Sequence, residues 1–170
     1  MSITMYQASV PVLARTLGNL AAILKKAAAH AEQHRIDPAV LLSTRLFPDM
    51  FPLTRQVQIA TDMARGAAAR LAGVERPVHE DTETTFDELQ ARIGKTIAFI
   101  ESLKPAQIDG SEERTITLNL RGNEVRFAGQ PYLLHYALPN VYFHVTTAYA
   151  ILRHCGVPLG KPDFIGGVPA

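Results

Sequence analysis

Apolar residues step by four and three through the first part of the chain, at Tyr6, Val10, Leu13, Leu17, Leu20, Leu24, Ala27 and Ala31. That spacing draws one seam along a helix and predicts a long element of antiparallel-bundle type. Pro11 falls inside the pattern and removes one backbone donor, which predicts a kink or a late start. Lys25, Lys26, His30 and His34 occupy the final turns, where positive charge suits the helix dipole.

Asp37-Pro38 reads as an N-cap followed by proline at the first helical position, so a short helix is expected over residues 38–44. The segment Leu46-Phe47-Pro48-Asp49-Met50-Phe51-Pro52 sets two prolines among large apolar residues and predicts a non-helical corner over the core. A second long helix is expected from about residue 52 to 72, with Leu53, Val57, Ala60, Ala64, Ala67 and Leu71 as its seam and Gly73 as its stop. Residues 74–83 are polar and read as a loop. Thr85-Phe86-Asp87-Glu88 has capping-box spacing and opens a third helix, whose buried side is Phe86, Leu89, Ile93, Ile97, Ile100 and Leu103 and which Pro105 ends.

The period then changes to two. Ile116, Leu118 and Leu120 alternate with polar residues, as do Val125 and Phe127, which predicts a β-hairpin. A two-residue loop at Gly122-Asn123 sets Arg121 opposite Glu124, Leu120 opposite Val125 and Leu118 opposite Phe127. A fourth helix is expected from about residue 131 to 155, with Leu134, Leu138, Val141, Val145, Ala148 and Leu152 inward, a kink at Pro139 and a stop at Gly156. The architecture read from these elements is an all-α, up-and-down four-helix bundle in one domain, with a small hairpin inserted before the last helix.

Composition narrows the classes. The chain has 170 residues, 47% of them apolar, and a formal net charge of +1. That balance argues against nucleic acid or an anionic membrane as partner. The single cysteine, Cys155, permits no internal disulfide and suits a reducing cytoplasm. There is no signal-peptide pattern and no run long enough to span a membrane, so a cytoplasmic protein is expected.

Candidate chemistry is sparse. His144 lies roughly 60° from the seam of the fourth helix, and Gln56 lies about 60° from the seam of the second. Asp62 falls opposite that second seam with Arg55, Gln58 and Arg65, and reads as a solvated charge face. His30 and His34 have a metal-pair spacing, but their place among lysines at a helix end favours dipole complementation. His135 and His154 point outward, His79 lies in a loop, and Cys155 is expected toward the core without a base to activate it. No Gly-rich phosphate loop, paired Cys-x-x-Cys or Gly-x-Ser-x-Gly elbow occurs. Tyr142, His144, Thr147 and Tyr149 put four polar-tipped side chains within two turns. Either they and Gln56 form a small-ligand pocket, walled by the Phe47–Phe51 corner and by Phe164, or they satisfy one another as an internal network.

Five stretches carry a resemblance across nearly the whole chain. They are Pro48-Asp49-Met50-Phe51-Pro52-Leu53, Gln56-Val57-Gln58-Ile59-Ala60, Ala68-Ala69-Arg70-Leu71-Ala72-Gly73, Tyr142-Phe143-His144-Val145-Thr146-Thr147-Ala148-Tyr149, and Gly156-Val157-Pro158-Leu159-Gly160-Lys161-Pro162-Asp163-Phe164. Together they resemble a bacterial domain of unknown function grouped with the DinB/YfiT-like proteins, a superfamily regarded as metalloenzymes. The resemblance implies a DinB-like four-helix bundle and a homodimer. It also implies a metal held by one histidine of the second helix and a His-x-x-x-His pair on the last. His144 matches the first of that pair, but Ala148 stands at the second position, and residues 52–73 contain no histidine. The expectation is a bundle without the three-histidine site, without a cofactor, that binds a small molecule or itself. The alternative is a metal-dependent enzyme or thiol transferase of this type with non-standard ligands.

Overall fold

The computed structural model describes residues 2–167. The first helix, α1 (Met5–His34), starts ahead of Pro11 because Thr4 caps it: the Thr4 hydroxyl accepts from the Gln7 amide while the Gln7 side chain bonds back to the Thr4 amide. Its expected seam is buried from Val10 to Ala31, and Ile23 joins it. The short α2 (Pro38–Ser43) is capped by Asp37, as anticipated. After the proline corner, α3 (Leu53–Ala72) ends at Gly73, which takes the left-handed φ of 67° that glycine tolerates. Thr85 and Glu88 form the expected capping box at the start of α4 (Phe86–Ser102). A single turn, α5 (Pro105–Ile108), follows it.

Strands β1 (Thr115–Leu120) and β2 (Asn123–Ala128) pair antiparallel, but two positions out of the expected register. Leu120 faces Asn123, Leu118 faces Val125 and Ile116 faces Phe127. The loop is Arg121-Gly122, with φ of 53° and 86°, rather than Gly122-Asn123. Two positive φ values in succession give the primed turn that matches strand twist. The Asn119 side chain favours this choice by accepting the Gly122 amide at 2.9 Å. Arg121 therefore does not face Glu124, which pairs instead with Arg126 on its own strand.

The last long helical run begins earlier than expected. α6 (Gly129–Tyr132) leads through a π turn (Leu133–Ala137) into α7 (Leu138–His154). In the π turn the Leu138 amide bonds back five residues to the Leu133 carbonyl. One extra residue is thus accommodated just ahead of Pro139, and the buried positions shift. Leu133 and Ala137 point inward, while Leu134, expected in the seam, is 43% exposed. From Val141 onward the expected seam holds: Val141, Val145, Ala148 and Leu152 are fully buried.

Each long helix packs chiefly on two neighbours, giving the ring α1–α4–α3–α7 around a continuous apolar core. The hairpin is anchored by Phe127, Tyr132 and Tyr136, whose rings lie 5.5–6.1 Å apart. A Cβ at Gly129 would stand 2.0 Å from the Ser111 carbonyl oxygen, so this junction between hairpin and helix admits no side chain. The chain then returns along α1 through α8 (Lys161–Ile165): Asn19 donates to the Phe164 carbonyl at 2.9 Å, and Lys26 pairs with Asp163 at 2.6 Å. Among the described residues, no helix is long and apolar enough to cross a membrane.

Candidate functional site

α3 and α7 are the most intimately packed pair of helices, and they bring Gln56 and His144 together. The His144 Nδ1 lies 2.7 Å from the Gln56 Oε1. The Gln56 amide nitrogen donates to the Phe51 carbonyl at 3.0 Å, so its oxygen must accept and Nδ1 must carry the proton. Burial, with the Arg55 charge adding to it, holds the His144 pKa below its ordinary value. The result is a neutral imidazole in one tautomer, with Nε2 left as an acceptor. The Phe143 ring stands edge-on to it at 5.3 Å.

The other residues expected beside this pair are distributed differently. Tyr142 and Thr147 line a groove of about 330 Å³ with Leu46, Pro139 and Phe143, on the side of α7 that faces the proline corner. The Thr147 hydroxyl is satisfied within its own helix, donating to the Phe143 carbonyl at 2.8 Å. Tyr149 turns toward the tail, where its ring meets Phe164 edge-on at 6.4 Å. The corner is more open than a wall over the core would be: Phe47 is 62% and Phe51 53% exposed.

A second polar assembly was not anticipated. Asp62 does not lie on a solvated charge face. Residues 74–84 fold over that side of α3 as a strap, and α4 closes it from the other side. Arg65 and Gln58 are buried beneath it, as is Arg92 of α4. Arg92 makes four hydrogen bonds and one further ion-pair contact: Nε donates to Thr61 at 2.7 Å, Nη1 to the Glu80 carbonyl at 3.0 Å and to Glu83 at 2.9 Å, Nη2 to Asp62 at 2.6 Å, and Nη2 also lies 2.9 Å from Asp81. Asp62 also accepts from Arg65 at 2.7 Å, Glu83 from Gln58 at 2.9 Å, and Asp81 pairs with Arg55. Burial would push the Glu83 carboxyl up, but the hydrogen bonds from Arg92 and Gln58 outweigh it and hold it below the usual range. His79, in the strap, is kept neutral by burial and by the charges of Arg65 and Arg92. A polar i, i+3, i+7, i+10 row on α3 (Arg55, Gln58, Asp62, Arg65), followed by Glu80, Asp81 and Glu83, was the available signal.

A family model described as "Domain of unknown function (DUF1993)" matches residues 5–165. The chain belongs to this family. The DUF1993 chain is also similar to a solved structure, a DinB family member protein from Shewanella denitrificans. The two are 41% identical with a TM-score of 0.87 over 97% of this chain and 93% of that one. No curated protein matches it. The family and the neighbour together establish a DinB-like domain of unknown function, mostly helical with one two-stranded antiparallel sheet.

The metal expected of a DinB-like fold can be tested against the DUF1993 chain's own donors. His144 commits Nδ1 to Gln56, the residue one turn on is the fully buried Ala148, and α3 offers no histidine. One imidazole nitrogen and an amide do not match the three or more convergent N, S or carboxylate donors that hold a first-row metal. Among the described residues, no group of three or more His, Cys, Asp or Glu side chains is placed to hold a metal ion. The His30 and His34 rings lie 4.3 Å apart and tilted near the end of α1, His135 and His154 are exposed, and Cys155 is half-buried against the core.

Proposed function

We propose that this protein is a single-domain, up-and-down four-helix bundle of the cytoplasm that has set aside the three-histidine metal site. It works by binding a small molecule where α7 meets the proline corner. The observation that supports this reading is the company kept by the His144–Gln56 pair. Phe143 meets the imidazole and the Phe51 carbonyl holds Gln56, and both belong to a band of exposed side chains in the proline corner and early α7, with Leu46, Phe47 and Tyr142, at 39–62% exposure. Exposed aromatic groups rimming a neutral, oriented imidazole are the usual makings of a site for a partly apolar ligand. Tyr142 and Thr147 line the groove on α7, and His144, next to the groove residue Phe143, offers Nε2 as the acceptor that fixes a ligand hydroxyl or amide. Tyr149 serves the tail rather than the ligand.

The same exposed band supports a second reading, self-association as a homodimer, since two-fold pairing is the commonest way to cover such a surface. A thermal-shift screen of metabolites, run with light scattering at micromolar concentration, separates the two. A hit lost in Tyr142→Ala supports the ligand reading. A dimer that Phe143→Ser dissociates supports the second. A monomer with no hit in the screen ends both. Zinc titration tests the enzyme alternative: one metal per chain, abolished by His144→Ala, would restore it.

A further inference from the structure

The face of α3 and α4 beneath the 74–84 strap carries more positive charge than those helices neutralise. α3 contributes Arg55, Arg65 and Asp62, and α4 contributes Arg92, so three guanidiniums face one carboxylate. The strap supplies the balance. Asp81 pairs with both Arg55 and Arg92, and Glu83 bonds Arg92 and Gln58. The Glu80 carbonyl takes a further Arg92 N–H. These acceptors occupy the helices' donors as the carboxylates of an acidic ligand would.

The match is incomplete. Every nitrogen of Arg92 has a hydrogen-bond partner, but Arg65, only 1% exposed, has none at Nε or Nη1 and shares the Asp62 Oδ1 with Arg92. His79 of the strap likewise has a buried, unpartnered Nδ1. Orphaned buried donors are scarce in folded proteins, and on a guanidinium they call for an anion.

We propose that this face is a latent binding site for a small multivalent oxyanion, either a phosphate ester or a di- or tricarboxylate. Arg55, Arg65 and Arg92 are its receptors, and the strap is a tethered competitor that the ligand displaces. The empty donors of Arg65 favour the ligand over the strap, which leaves them unused. A cleft of about 370 Å³ at the strap's edge, lined by Arg92, Lys95 and His79 together with Glu80, Glu83 and Glu88, reaches the Arg92 end of the site. The site does not use His144 and stands or falls independently of the groove on α7.

The test uses the full chain at low ionic strength, titrated by calorimetry with inorganic pyrophosphate in one arm and citrate in the other. Amide exchange of residues 74–84 is followed in parallel. Removing the competitor with Asp81→Asn/Glu83→Gln is expected to tighten binding about tenfold or more, because the open state no longer has to be won from the strap. Adding Arg65→Met to that variant is expected to weaken it again by about tenfold or more. In the wild-type protein either anion should accelerate exchange in the strap, and Arg65→Met alone should abolish that response even if the double variant does not fold. The stronger arm assigns the ligand as phosphate or carboxylate. The proposal is overturned if neither anion binds or alters strap exchange, or if Arg65→Met proteins respond as strongly as those that keep the arginine.

Discussion

Replacing Arg92 with methionine tests whether the buried network is structurally essential. The substitution keeps much of the aliphatic volume and removes all five donors at once. It leaves five acceptors short: the Thr61 hydroxyl, the Glu80 carbonyl, and carboxylates of Asp62, Asp81 and Glu83. Removing one partner from a buried ion pair costs about 3–5 kcal/mol, because the remaining charge stays desolvated. Two features of the site bring the figure toward the lower end. The side chains of Asp62 and Asp81 are 27% and 36% exposed, so water reaches them. Each carboxylate also keeps a second partner: Arg65 for Asp62, Arg55 for Asp81 and Gln58 for Glu83. The expected loss is about 3 kcal/mol, which is large against a total stability of about 5–15 kcal/mol. In urea unfolding it should lower the midpoint by about 1–3 M without changing the slope. Arg92→Lys restores a charge but not the planar fork, and is expected to recover only part of the loss. A loss below about 1 kcal/mol for Arg92→Met, the range of exposed ion pairs, would show that the strap is solvated and that the pairing is superficial.

Three other measurements address separate parts of the structure. His144→Leu strands the buried Gln56 oxygen and should cost about 1–3 kcal/mol in urea unfolding, and a neutral result would mean that Gln56 re-pairs with water. Glu83 has a depressed folded pKa, so the stability it contributes is complete above the ordinary carboxylate range and is lost as pH falls through the folded value. The stability gap between wild type and Glu83→Gln should therefore shrink on acidification, and a gap constant with pH would contradict the pairing. Gly129→Ala must push a methyl group into the Ser111 carbonyl and should cost about 3 kcal/mol, read as a lowered Tm with loss of hairpin protection in amide exchange. An unchanged Tm would mean that the Ser111 carbonyl can move aside for the methyl group.

Much of the frame was legible because its signals are local. Seam positions four and three apart, the Thr85–Glu88 capping box and Gly73 each depend on a few neighbouring residues, and each stands where the pattern put it. The hairpin was legible as a hairpin but not in register. Two adjacent two-residue loops keep the apolar residues on one face, and the Asn119 side-chain bond selects Arg121-Gly122, which periodicity alone does not distinguish from Gly122-Asn123. The first turns of the last helical run were misphased because a π turn leaves no periodic mark of its own. The charged network was lost for a different reason. Apart from the Asp62–Arg65 pair within α3, its contacts join residues 9–31 positions apart across three elements, and a helical wheel treats any polar arc as solvent-facing. α3 is buried on nearly every side, so its polar arc is interior. The His144–Gln56 contact, in contrast, followed from two lone polar residues at the edges of seams that had to meet.

The π turn at Leu133–Ala137 has a consequence for how this chain tolerates insertions and deletions. It stores one surplus residue one turn into the last helical run. Deleting the exposed His135 would let the turn relax to α geometry, taking up the missing residue locally while the core positions on either side keep their phase. A deletion a few residues later, within α7, has no such slack. It would rotate everything before it by about 100° relative to the packed seam. The family's natural length variation in this helix should therefore concentrate at one place, the stretch just ahead of Pro139.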